Sequence, residues 1–280
     1  MKVTRFVLAF ALLASPALAQ VDLPDETTDS FARNDVLFDS MRSVKSHTLT
    51  AIRKRPEGFR SLPVELVIHF HETRKAGNPF FTRFTADSYI GIAAWGAEQP
   101  IWRKEEYTND HPFFFAERRS AVIRKFLEAH TYDRIKITAV VRDIFKGVPY
   151  IEIIKAEPLD EKLDEPTIAH AARGRKMAEA GNGKAAVEEY ERAFRGDIPA
   201  DARPYMLVDK GEAHLAKGER DEAIDLMEDA LELKPDDPSI QEALKRAKAW
   251  KPLEHAKPVG ETGGEGATSR PADGAAEPAR

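Results

Sequence analysis

The 280-residue chain contains no cysteine. Disulfides, thiol nucleophiles and cysteine-ligated zinc are therefore excluded, and the fold must rest on packing alone. A strong charge of one sign is also missing. The 42 Lys and Arg stand against 47 Asp and Glu, a net charge of −5, so there is no broad basic field of the kind that non-specific nucleic-acid binders use. No apolar run after the N-terminus approaches the ~20 residues that cross a bilayer. Catalytic signatures are absent as well: there is no G-x-S-x-G, no phosphate loop ending in Gly-Lys-Ser/Thr, no H-E-x-x-H and no dinucleotide glycine pattern. Carboxylates are plentiful but sit in surface runs such as Glu188-Glu189 and Asp221-Glu222, with i,i+4 partners such as Glu188–Arg192. These absences predict a protein that is not an enzyme and that holds no cofactor and no metal. A glycosidase-like carboxyl pair, which has no sequence signature, stays open.

What is present begins at the N-terminus. Lys2 and Arg5 precede an apolar run from Phe6 to Ala14, Pro16 breaks it, and Ala17-Leu18-Ala19 places small residues two apart before Gln20. This is the layout of a secretory signal peptide over residues 1–19, with cleavage expected after Ala19. The run is too short for a membrane span. The mature protein is thus expected to be soluble and periplasmic or secreted, without membrane insertion. Residues 20–59 form a leader of uncertain structure. Within it, Val36, Leu37, Met41 and Val44 fit one helical face, whereas Ser43 to Ile52 fit an extended segment equally well.

Strand periodicity starts at residue 63. Val64, Leu66, Ile68 and Phe70 alternate with Glu65, Val67, His69 and His71, the period of a half-buried strand. Lys75 to Pro79 reads as a turn. A second β region is predicted from Phe80 to Trp95, with a break near Ala86-Asp87, and a third from Ile101 to Tyr107. Glu117 to His130 switches to helical spacing, with Val122, Ile123, Phe126, Leu127 and His130 on one face. Ile135, Ile137, Ala139 and Val141 then alternate with Arg134, Lys136, Thr138 and Arg142, and Lys146-Gly147 turns the chain into Val148–Ala156. Three β regions, a helix and a hairpin resemble, in element order, the OB-fold, a five-stranded Greek-key barrel. The resemblance covers residues 60–158 and implies a small barrel domain; another small α+β domain is the alternative.

A charged linker is expected at 159–166, and helical hairpins follow. Gly174, Gly181, Ala186, Tyr190 and Ala193 recur at the same spacing as Gly211, Gly218, Ala223, Met227 and Ala230. The stretch 221–237, DEAIDLMEDALELKPDD, with Pro235 near its end, closely resembles the tetratricopeptide repeat. The resemblance implies two repeats plus a cap helix over 167–250, with close helix approach at the small residues. It also implies a concave groove that binds a partner protein or peptide. By matching positions, the groove wall is Ala171, Arg175 and Ala178 in the first unit and Tyr205, Val208 and Glu212 in the second. The Lys and Asn with which some family members clamp a C-terminal carboxylate are replaced here by Ala171 and Arg175. Residues 251–280 are rich in Gly, Pro, Ala and Glu, and they read as a disordered tail.

The expected fold class is therefore multidomain: a small OB-like β-barrel followed by an all-α tetratricopeptide array. The expected function is an exported, non-catalytic binding or scaffold protein of the periplasm or cell envelope. A second reading gives the work to the barrel. Tyr89 and Trp95 share one strand face, and Arg134, Lys136 and Arg142 line another, an aromatic-basic platform for an oligosaccharide or nucleic acid. The acidic balance and the export signal disfavour nucleic acid. His69 and His71, two apart on one strand, are a candidate pair of metal ligands that lacks an identifiable third.

Overall fold

The computed structural model describes residues 44–77 and 82–251. The expected signal peptide, the first part of the leader (20–43), Asn78 to Phe81 and the tail from Pro252 onward lie outside the described residues.

Five strands close into a barrel: β1 (Pro63–Lys75), β2 (Tyr89–Gly96), β3 (His111–Glu117), β4 (Arg134–Phe145) and β5 (Val148–Pro158), in the order β1-β2-β3-β5-β4. The long first strand makes closure possible. Its N-terminal half pairs with β4, as in Val64↔Ala139, and its C-terminal half pairs with β2, as in Ile68↔Gly96. The register shifts between Phe70 and Glu72, and such a bulge bends a strand sharply enough to serve two neighbours. β3 and β5 pair in parallel and complete the ring. The hairpin β4–β5 turns on Lys146 and Gly147, both at positive φ, the geometry that suits strand twist at a two-residue loop.

The alternation read from the sequence fills the barrel. Val64, Leu66, Ile68 and Phe70 of β1 meet Ile90, Ile92 and Ala94 of β2, Ile135, Ile137, Ala139 and Val141 of β4, and Ile151 and Ile153 of β5. Two short helices add to this core: α1 (Leu49–Lys54) through Leu49 and Ile52, and, between β3 and β4, a helix through Ile123 and Phe126. Each fully buried Leu, Ile or Phe contributes roughly 1.5–3 kcal/mol over exposure. The uncertain segment Ser43–Ile52 thus turns helical from Leu49, capped by the Thr48 side chain, which accepts from the Ala51 N–H at 3.1 Å.

Three boundaries differ from expectation. The second β region, expected from Phe80, is a strand among the described residues only from Tyr89. Residues 101–107 are not a strand. They form turns and a single-turn helix, α2 (Lys104–Tyr107), and the third strand comes later, at His111–Glu117. The helix expected from Glu117 to His130 is the short α3 (Val122–Leu127).

Five longer helices follow: α4 (Glu165–Glu179), α5 (Gly183–Ala193), α6 (Arg203–Lys217), α7 (Arg220–Leu233) and α8 (Pro238–Ala249). Asp164 caps α4 by accepting from the Thr167 N–H at 2.8 Å, and Asp237 caps α8 by accepting from the Ser239 N–H at 2.9 Å. The recurring glycines mark close approach. A Cβ on Gly174 would stand 2.8 Å from Tyr190 Cε2, and one on Gly211 would stand 3.1 Å from Met227 Cε.

The expected fold class requires correction. A closed barrel at 63–158 followed by helices at 165–249 is present, but the two do not form separate domains, a barrel and an independent tetratricopeptide array. One hydrophobic cluster joins Trp95, Ile101 and Trp102 of the barrel side to Leu163, Ile168, Ala171, Tyr190, Met206 and Ala213. The expected linker takes part: Leu163 is fully buried there. The physical reason is area. The segment between β2 and β3 carries two large apolar side chains, Ile101 and Trp102, and burying them against the helices removes them from water.

Candidate functional site

The junction between barrel and helices is where polar chemistry concentrates. Residues 101–107 lie against the helical face, and their anchor is Asp209 of α6. Its side chain is 1% exposed. Arg103 grips it twice, Nη2 donating to Oδ1 at 2.8 Å and Nε to Oδ2 at 3.0 Å. Trp102 Nε1 donates to Oδ2 at 2.6 Å, and Arg175 Nη1 to Oδ1 at 3.3 Å. Four donors on one carboxylate offset the cost of its desolvation, which an unpaired buried charge would incur in full. A second tie crosses the same junction: Arg134 Nη2 donates to both oxygens of Asp201 at 2.7 and 2.6 Å, and its Nη1 to Glu161 at 3.1 Å.

Beside Asp209 lies a cavity of about 150 Å³ lined by Arg175, Ala178, Glu179, Tyr190, Asp209 and Glu212. Tyr190 is fully buried, and its hydroxyl has no hydrogen-bond partner. Burial, and then the neighbouring Asp209 charge, push its pKa far above the usual phenol range, so it is a neutral hydroxyl at any ordinary pH. An unmatched buried hydroxyl costs on the order of 1–3 kcal/mol.

The six residues expected to wall a groove are thus divided. Arg175, Ala178 and Glu212 line this cavity together. Ala171 is fully buried in the junction cluster. Val208 is buried in a different cluster, with Met227, Ile240 and Leu244, and the half-buried Tyr205 packs against both that cluster and the junction cluster. The Tyr205 hydroxyl donates to Asp237 at 2.6 Å, and Lys234 sits over its ring. An open concave surface lined by all six is not what the helices present, because the 101–107 segment occupies part of it.

The aromatic-basic platform is not assembled either. Trp95 is fully buried at the junction, stacked on His71 at 4.3 Å, and its Nε1 donates to the Tyr107 carbonyl at 2.9 Å. Tyr89, at the other end of β2, donates to Glu152 at 3.2 Å; burial and that carboxylate push its pKa to about 12. Each of the three cations meets a carboxylate: Arg134 as above, Lys136 with Glu65 at 3.0 Å, and Arg142 with Glu152 at 2.5 Å. Aromatic stacking does occur on the outside of the barrel, but Phe84, Phe115 and Tyr150 stack on one another and are buried.

The two histidines part company. His69 is fully buried, and burial followed by the Arg134 charge lowers its pKa to about 4. His71 lies at the bulge and its Nδ1 faces Asp110 Oδ2 at 2.9 Å. Among the described residues, no group of three or more His, Asp or Glu side chains could hold a metal ion.

Asp209, Tyr190, Trp102 and Arg103 were not expected as site residues. One signal for Asp209 was legible: it is an acid on the apolar stripe Tyr205, Met206, Val208 and Ala213 of α6, where a charge must find partners. Its partner, more than 100 positions earlier in the chain, carries no such signal. No protein-family model matches the chain, and no curated protein matches it. The tetratricopeptide resemblance therefore rests on the sequence motif alone.

Proposed function

We propose that this chain is a non-catalytic binding protein that captures a partner protein at the helical face beside Asp209, and that it works in the periplasm or cell envelope. The cavity carries this reading. It joins three of the positions expected to contact a ligand, Arg175, Ala178 and Glu212, to a buried hydroxyl that lacks a partner. A few convergent polar groups are what fix the orientation of a bound group in a concave site. Because residues 101–107 already cover part of the helical face, the partner inserts one side chain and does not lay a whole helix into a groove. The cellular location rests on the expected signal peptide at residues 1–19.

The test is affinity capture from nuclease-treated envelope extract on the protein from Gln20 onward, beside Ala178→Arg, which fills the cavity from a half-buried position. The expected result is a protein retained by wild type and lost in the variant, with both unfolding at similar denaturant concentrations. Equal retention by the two would exclude the cavity as the working surface.

A further inference from the structure

The chemistry of the cavity wall restricts what can enter it. Its charged groups are three carboxylates, Glu179, Asp209 and Glu212, and one guanidinium, Arg175. Arg175 is already surrounded by acids: Nη1 donates to Asp209 at 3.3 Å, Nη2 donates to Glu105 at 3.1 Å, and Nε lies 3.0 Å from Glu179 in an ion pair. Both Asp209 oxygens are occupied by Arg103, Trp102 and Arg175. Acceptors remain. Glu179 meets Arg175, and Glu212 meets Arg246 at 2.8 Å, each through Oε1 alone. The Tyr190 hydroxyl stands unmatched in a fully buried side chain. An anion would meet three carboxylates against one guanidinium that is already paired with acids. A neutral hydroxyl or amide would bring no positive charge to set against the three carboxylates.

We propose that the cavity binds a primary ammonium group, carried by a lysine side chain of the partner or by a free alkylamine, with Glu179, Glu212 and the Tyr190 hydroxyl as its acceptors. An ammonium offers three N–H donors and no acceptor, which matches those three sites, and hydrogen bonds from a cation to carboxylates are roughly twice as strong as neutral ones. The Ala178 methyl supplies an apolar wall for the alkyl stem. A volume of about 150 Å³ is several times the ~30 Å³ share of one water, so a head group with several methylenes fits. This inference rests on the reading of the cavity as the partner site.

The experiment is a titration of the isotope-labelled full chain, followed by NMR at Gly174 and Tyr190. The probes are n-butylammonium and Nα-acetyl-lysine methylamide. The controls are n-butanol, the Nε-acetylated lysine analogue and n-butyrate. Saturable shifts with the ammonium probes, about tenfold weaker in Glu212→Gln and in Tyr190→Phe and at least tenfold weaker with every control, are expected. Binding of the lysine amide identifies a peptide lysine as the source; binding of butylammonium alone identifies a free amine. Both support ammonium recognition. Absence of saturable shifts with both probes, equal binding of a neutral control, or preference for butyrate would overturn it. A partner captured through the cavity without any ammonium response would sink this inference and leave the binding function standing. Ammonium binding with nothing captured would do the reverse.

Discussion

The barrel interior and the barrel–helix junction both exclude water, but by different means. The interior is lined by aliphatic and phenyl side chains on alternating strand positions. The junction mixes two tryptophans with a buried carboxylate, a buried arginine and an unpartnered hydroxyl. Apolar packing is non-directional and tolerates exchange of similar volumes. A buried charge network is directional, so it fixes one mutual arrangement of barrel and helices and fails sharply when a member is lost. Substitutions in the two regions should therefore differ in kind.

The largest effect belongs to the junction. Asp209→Ala should cost about 3 kcal/mol in urea unfolding, since it strands Arg103 and Arg175. The lower end of the range applies because those arginines are 23% and 25% exposed. Asp209→Asn, which keeps two polar atoms, should cost less. A loss below that of a conservative barrel substitution would abolish the distinction between the regions.

Acid gives the next effect and separates the regions again, because each holds one buried histidine. Burial, aided by Arg134, lowers His69 at the junction to about 4; burial, aided by Arg53, lowers His111 on β3 to about 3. Between those values and the ordinary 6.5, the unfolded chain binds protons that the folded chain does not. Stability is thus fully present above pH 6.5 and falls as the pH drops through this window. Each histidine should account for roughly 2 kcal/mol of loss at pH 5. His69→Leu should remove about half of the acid-induced loss measured by denaturant unfolding at pH 7 and pH 5. An unchanged slope would mean that His69 titrates normally.

Tyr190→Phe removes the unmatched hydroxyl and, without ligand, should stabilise the protein by roughly 1 to 3 kcal/mol, seen as a higher thermal midpoint. A destabilised variant would show that the hydroxyl already has a partner. Smallest of all, Ile137→Val in the barrel should cost about 0.5 to 1.5 kcal/mol, with no change in the slope of unfolding against denaturant. A larger cost would mean that the barrel, too, depends on unique fit.

The contrast also explains which parts were legible beforehand. Strands β1, β4 and β5 announced themselves through alternation because one face meets the core and the other meets polar surroundings. β3 did not, because Phe113, Phe114 and Phe115 bury both faces, one in the core and one in the outer aromatic stack, which erases the period. Ile101 and Trp102 passed for strand residues because burial against helices leaves the same apolar signature as burial in a sheet. Of the site, the helical positions Arg175, Ala178 and Glu212 were reached through the repeat, whereas Tyr190 was read only as a recurring packing position and Asp209 carried no repeat signal.

The sequence alone determined where β1, β4, β5 and the long helices form and which of their faces are apolar. Those properties depend on spacings of two and of three to four residues, which any chain carries locally. The tertiary structure alone decided that barrel and helices share a core, that the segment around Trp102 fills the helical face, and that Asp209 is the anchor. Those contacts join residues far apart in the chain, and no local spacing encodes which buried charge meets which cation.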